Sequence, residues 1–253
     1  MHTKASLQNS IKCVFLFLSF FFGGCHSNKV ARSPVPCFAV QSSPKIAMAE
    51  IPEKKPSPVP VKKVAKPLIV IDAGHGGEDF GTNAKAATKH QEKTLNLSCS
   101  FCLKTYLEDM GYRTIMTRTF DRFIPLSTRA EFSNVRNPDV FVSVHFNAAP
   151  SKQAEGVEVF FFEKDPIKKR IENSKRLAQS VLDQIILQTK ARSRGIKHGN
   201  YAVIRETTAT AILVEGGFLS NDKEFEKIKD PAYLRKVAHG IALGIDDYLK
   251  RRK

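Results

Sequence analysis

From residue 67 onward, short runs of almost wholly apolar residues alternate with longer stretches in which apolar residues recur every three to four positions. The short runs, closed by polar or glycine-rich turns, are the mark of strands buried on both faces. The longer period marks helices with one face turned inward. Residues 67–71 form the first such strand and end at Asp72-Ala73-Gly74-His75-Gly76-Gly77. A helix is expected over about 91–110, with Thr88 as its N-cap, Gln91 three residues on, and Gly111 as its stop. Residues 112–118 make the next strand, 126–134 a short helix, and 140–145 and 156–162 two further strands. A long amphipathic helix follows over about 172–188, then a short strand at 201–205 and a buried one at 211–214 that reaches Glu215-Gly216-Gly217. The closing helix, 233–249, turns Leu234, Val237, Ile241 and Ile245 inward. This alternation predicts an α/β fold: one domain with a mixed, mostly parallel twisted sheet flanked by helices.

The first 66 residues break the pattern. Lys4 and Lys12 precede an apolar run over 13–22, the order of a secretory leader, and the run is too short for the ~20 residues of a spanning helix. It closes with Phe22-Gly23-Gly24-Cys25, which resembles a lipoprotein signal, although Phe22 replaces the usual aliphatic residue. Residues 1–25 are therefore read as a leader that brings the protein to the periplasm with a lipid on Cys25. Residues 26–66 read as a tether: eight of the chain's 13 prolines fall between Pro34 and Pro67. At ~3.1 Å per residue such a chain reaches on the order of 100 Å. Residues 67–253 remain as the catalytic domain.

Charge adds less than the net +15 suggests. Two lysines in the leader, and eight basic against two acidic residues in the tether, leave +7 for the body, four of it in the tail 250–253. A nucleic-acid-binding stripe is not indicated. Of the five cysteines, Cys13, Cys25 and Cys37 precede the domain, while Cys99 and Cys102 share a helix face with Leu95 and Tyr106. They read as buried apolar residues rather than a redox pair or part of a disulfide framework.

His75, His145 and Glu215 each fall at or just past the C-terminal end of an apolar strand. In sheets with parallel strands those ends share one edge, where ligands collect. His75 sits among Gly74, Gly76 and Gly77, which permit a sharp turn. Alone, His145 is as well explained by a structural role as by a ligand's.

Five blocks carry a resemblance. They are 71–77 (IDAGHGG), Glu92-Lys93-Thr94, 143–148 (SVHFNA), Gly156-Val157-Glu158-Val159 and 214–221 (VEGGFLSN). In kind and order they resemble the zinc-dependent N-acetylmuramoyl-L-alanine amidases of the AmiC type, and the likeness spans roughly 68–249. Ala73 and Phe80 stand where the family usually has proline. The resemblance implies a zinc site at the C-terminal edge of the strands, with His75, Glu92 and His145 as ligands and a fourth position for water. It implies Glu215 as the catalytic carboxylate, moving a proton from that water to the leaving amine. The implied reaction cleaves the amide between N-acetylmuramic acid and L-alanine of peptidoglycan or its lipid-linked precursor. Some family members carry a helix inserted after the strand equivalent to 157–162 that covers the zinc. Only about ten residues, 163–172, stand there in this chain, which predicts an open cleft and no need for an activator protein.

Other readings compete. Spacing alone leaves the third ligand open between His90 and Glu92. Glu78, Asp79 and Glu158 read as solvated charges, Asp72 as a turn or supporting residue, His239 as a surface residue and His198 as a loop residue. Ser42-Ser43-Pro44-Lys45 fits the SxxK pattern of a serine penicillin-binding carboxypeptidase, but it lies in the tether with Pro44 interrupting it. An inactive wall-binding regulator is a further alternative.

Overall fold

The computed structural model describes residues 66–82 and 90–252. The leader, most of the tether, the Ser42–Lys45 motif and Thr88 lie outside the described residues. The apolar runs form β1 (Leu68–Ala73), β2 (Arg113–Met116), β3 (Val140–Asn147), β4 (Val157–Phe161), β5 (Ser193–His198) and β6 (Thr210–Phe218). Around them lie α1 (Glu92–Asp109), α2 (Leu126–Asn134), α3 (Lys168–Thr189), α4 (Ala202–Arg205), α5 (Asp222–Ile228) and α6 (Pro231–Arg251). The strands make one sheet in the order β2-β1-β3-β6-β4-β5, parallel throughout except where β4 runs antiparallel to β6. The mixed, mostly parallel sheet expected from the alternation is what forms.

Side-chain alternation divides the core into two layers. Ile69, Ile71, Val142, Val144, Ile212 and Val214 face α1, α3 and α6 and build the larger one. Val70, Phe141, Phe160 and Leu213 face the opposite way, against Val203 and Ile204 of α4 and Phe132 of α2. Two short helices cover far less of a sheet than three long ones, and the functional groups gather on that thinner side.

Four expectations need correction. Residues 201–205 are not a strand: Ala202–Arg205 is the helical turn α4, since so short an apolar stretch carries no period of its own. β5 was not anticipated, because its SRGIKH sequence has one aliphatic residue and takes its form from pairing with β4. α3 begins at Lys168, four residues early, so Lys168-Lys169-Arg170 falls in its first turn. There Arg170 is buried and bonds to the carbonyl oxygens of Thr207 and Ala209. α1 takes Gln91 as its N-cap residue, the place expected for Thr88. The cysteine reading holds: Cys99 is a fully buried free thiol, and Cys102 is half-buried and free.

α6 packs against α3 through Gly240 and Gly244. A Cβ on Gly244 would lie 2.4 Å from the backbone Cα of Val181. Helix propensity alone would favour alanine there by ~1 kcal/mol, but overpacking against backbone costs ~1–3 kcal/mol. The net cost is up to ~2 kcal/mol, so Gly244→Ala is expected to lower Tm by up to about 8 °C. A thermal melt showing a rise would mean that the helices separate freely.

Candidate active site

Strand register decides what meets at the carboxyl edge. His145 on β3 pairs with Glu215 on β6, and Glu215 pairs with Glu158 on β4. Residues opposed on adjacent strands point to the same face, so these three share the thinly covered side. Gly74 follows Ala73, which pairs with Val144, and so continues the row into the next strand. A Cβ on Gly74 would sit 2.2 Å from the His145 ring, so the imidazole occupies the space a side chain would need.

His75 follows with a φ of 59°, left-handed backbone that a non-glycine residue adopts only when held. It is held by two buried arginines. Arg129 donates to the His75 and Ala73 carbonyl oxygens at 2.7 and 2.8 Å and pairs with Asp72 at 2.9 Å. Arg118 donates to the Ala73 and Gly74 carbonyl oxygens at 2.9 and 2.8 Å. Asp72, fully buried, also accepts from Thr117 and Ser143. Burial alone would raise its carboxyl, but Arg129 and the two hydroxyls hold it below its ordinary value. Asp72 is a supporting residue, as expected, while the two arginines were not foreseen.

Glu92 opens α1, where the positive end of the helix dipole favours a carboxylate. Its Oε1 lies 3.1 Å from His75 Nε2 and 3.0 Å from His145 Nδ1, and Oε2 accepts from the Thr82 amide at 2.7 Å. Asn96, one turn on, donates to Oε1 and to the Gly74 carbonyl, both at 3.2 Å. Although burial would raise the Glu92 carboxyl, the hydrogen bonds and charges of His145 and His75 hold it well below the usual carboxylate range. One donor atom from each of His75, Glu92 and His145 lies within 4.8 Å of the others. The two measured separations, 3.1 and 3.0 Å, are close to the ~3.4 Å edge of a tetrahedron with ~2.1 Å bonds. Two nitrogens and one oxygen are a donor set suited to zinc, so residues and geometry fit the metal that the resemblance implies. His75 Nδ1 meets Asp79 Oδ2 at 2.8 Å, the carboxylate–histidine support usual behind a metal ligand.

Glu215 is buried, and its Oε2 has no hydrogen-bond partner. Burial, then the charges of Glu92 and Glu158, push its carboxyl well above its ordinary value. A cavity of about 600 Å³ opens over the group, lined by His75, Glu92, His145 and Glu215 together with Phe123, Ile124, Leu126, Asn147 and Tyr201.

The structure thus brings together His75, Glu92, His145 and Glu215 and keeps His90 apart. His90 packs against Phe225, on a separate groove with Cys102 and Arg235. Glu78 is exposed, as expected. Asp79 and Glu158 are not free solvated charges. Asp79 braces His75, and Glu158 is 4% exposed because β5 and β6 enclose β4. His198 ends β5, accepting from the Glu163 amide and stacking on Phe162, away from the cavity wall. His239 is half-buried against Tyr106 rather than a plain surface residue.

A family model described as N-acetylmuramoyl-L-alanine amidase matches residues 69–247. The chain is 33% identical over 193 residues to the protein YqiI of Bacillus subtilis, covering 75% of this chain and 90% of that one. It is 32% identical over 180 residues to the probable cell wall amidase LytH of Staphylococcus epidermidis, covering 71% of this chain but 57% of that longer protein. The crystal structure of N-acetylmuramoyl-L-alanine amidase from Clostridium difficile 630 superposes with a TM-score of 0.69 at 36% identity, covering 74% of this chain and 99% of that one.

Proposed function

The chain belongs to the N-acetylmuramoyl-L-alanine amidase family, and from that premise we propose that it is a zinc hydrolase of peptidoglycan or its lipid-linked precursor. It would cleave the amide joining the lactyl group of N-acetylmuramic acid to L-alanine. The observation that carries this reading is two imidazoles and a carboxylate around one point, beside a buried carboxylate oxygen without a partner. His75, Glu92 and His145 would hold the ion, which when bound supplies a Lewis acid for the amide carbonyl and brings a water's pKa toward ~7. Glu215 accepts a proton at Oε2 and returns one to the nitrogen that leaves with L-alanine. Asp79 and Asn96 hold His75 and Glu92 to their orientations, and Arg129 keeps the His75 backbone in its turn. Phe123, Ile124 and Leu126 add apolar surface to the cavity lining.

Two finer points accompany this reading. Only residues 162–167 connect β4 to α3, and α3 packs into the larger core layer, which supports a cleft open without an activator. The purified chain with zinc should cleave a defined muropeptide alone, and mass spectrometry should find the lactyl sugar and a peptide with free N-terminal L-alanine. Cleavage at the D-alanyl end instead, or activity only with a partner protein, would overturn the respective claim.

Export with a lipid on Cys25, the tether presenting the domain to the wall, is the second proposal. Among the described residues no helix is long and apolar enough to cross a membrane. Cys25→Ser should release protein from the membrane fraction or leave an unprocessed precursor. Unchanged mobility and fractionation would remove Cys25 as the anchor.

A further inference from the structure

Asn147 forms part of the cavity wall, and its Nδ2 donates to Glu158 Oε1 at 2.7 Å. Glu158 Oε2 accepts from Arg194 Nε at 2.8 Å and from Lys197 Nζ. Both cations come from the edge strand β5, and their side chains are 31% and 38% exposed while that of Glu158 is 5%. Two cations share one carboxylate, so the cluster keeps a formal surplus of one positive charge. The Arg194 guanidinium also sits over the Phe218 ring, its Cζ 4.8 Å from the centroid, in cation–π range. Elsewhere around the cavity the cations are committed. Arg118 and Arg129 serve backbone carbonyls and Asp72, and Lys93 bonds to Asp121 and the Gly77 carbonyl. A buried carboxylate is costly unless it is paired and hydrogen-bonded, and Glu158 is paired with two half-exposed cations and bonded to Asn147 of the cavity lining.

We propose that Arg194 and Lys197, positioned by Glu158, form a subsite for a carboxylate of the stem peptide; this rests on the amidase reading above. The scissile amide joins a sugar to a peptide that carries free carboxylates. The cavity lining combines apolar Phe123, Ile124 and Leu126 with Asn147, and Asn147 is tied through Glu158 to the two cations. Glu158 pairs with Glu215 across β4 and β6, with β5 next in the sheet, so a substrate with its amide beside Glu215 has the two cations within reach of its peptide half. There the Arg194 fork, which also gives Nη1 to the Glu155 carbonyl oxygen at 3.4 Å, and the Lys197 ammonium each keep further donors. A carboxylate there meets the cations with charge on both sides of each hydrogen bond, whereas a carboxamide offers only a neutral oxygen.

The test uses the zinc-loaded full chain and two N-acetylmuramyl peptides, one with its peptide carboxyls free and one with them converted to carboxamides. Wild-type enzyme should show a KM about tenfold lower for the free acid, the scale of one charged hydrogen bond, with kcat nearly equal for the two. Arg194→Gln and Lys197→Gln should each raise the free-acid KM about tenfold, leave the carboxamide KM and zinc content unchanged, and so erase the preference. Arg194→Lys should keep part of it. A wild-type enzyme that treats both substrates alike, or variants that shift both equally, would leave these residues a structural ion pair only. That comparison needs no variant to fold. Failure of the wild-type enzyme to cleave either substrate would instead overturn the amidase reading, and the subsite with it.

Discussion

Zinc should be lost from His75→Ala and from His145→Ala, and hydrolysis should fall to background with it. Each substitution removes one of three donors, leaving a pair that cannot close around an ion. Replacing an outer hydrogen-bond partner of a ligand typically costs ~10–100-fold in metal affinity, and loss of the ligand itself should cost more. Asp79→Asn gives that smaller loss as an internal scale, because it weakens only the bond to His75 Nδ1. His90→Ala should keep its metal, since His90 faces Phe225 rather than the two imidazoles. Metal analysis by mass spectrometry on dialysed protein decides it. Full occupancy in either histidine variant would remove that residue from the ligand set, and metal loss in His90→Ala would reassign the third ligand.

That experiment bears on a point the sequence left open. From spacing, His90 and Glu92 were equal claimants, because they flank Gln91 at the expected start of the helix and the exact start cannot be read from the sequence. What separates them is the helix start: Glu92 is its first residue, so its carboxylate reaches over the sheet edge toward His75 and His145. His75 and His145 themselves were legible because each ends an apolar strand, and the parallel ordering of β1 and β3 brings those ends together. Glu158 was misread for a related reason. In Gly156-Val157-Glu158-Val159 the alternation suggests one wet face, but whether that face is wet depends on β5, a strand with one aliphatic residue that only pairing reveals. Arg118 and Arg129 were overlooked because arginine carries no signal of burial. Both are almost completely buried because the loop at 73–75 turns its carbonyls inward, and they supply its donors. In this chain the ligands could be read from strand ends, while their supports came from tertiary contacts across long separations.

Glu215→Gln should keep zinc, fold normally and lose at least ~10²-fold in kcat with little change in KM. Amide and carboxylate have nearly the same shape, and Oε2 has no hydrogen-bond partner to lose. What disappears is the ability to take a proton and give it back, which acts in the transition state and not in substrate binding. A second readout is independent of catalysis. Burial, with the charges of Glu92 and Glu158, raises the Glu215 carboxyl in the folded chain. In chelator, then, the folded state keeps a proton that the unfolded state releases above its own pKa of ~4.3. The folded state binds more protons in that window, so this group makes stability fall as pH rises through it. Glutamine removes that slope. The Tm advantage of Glu215→Gln over wild type, both in chelator, should therefore widen from about pH 4 to pH 7. Retained activity would mean that another base moves the proton. A Tm difference that stays flat with pH would mean that the buried carboxylate is not held protonated.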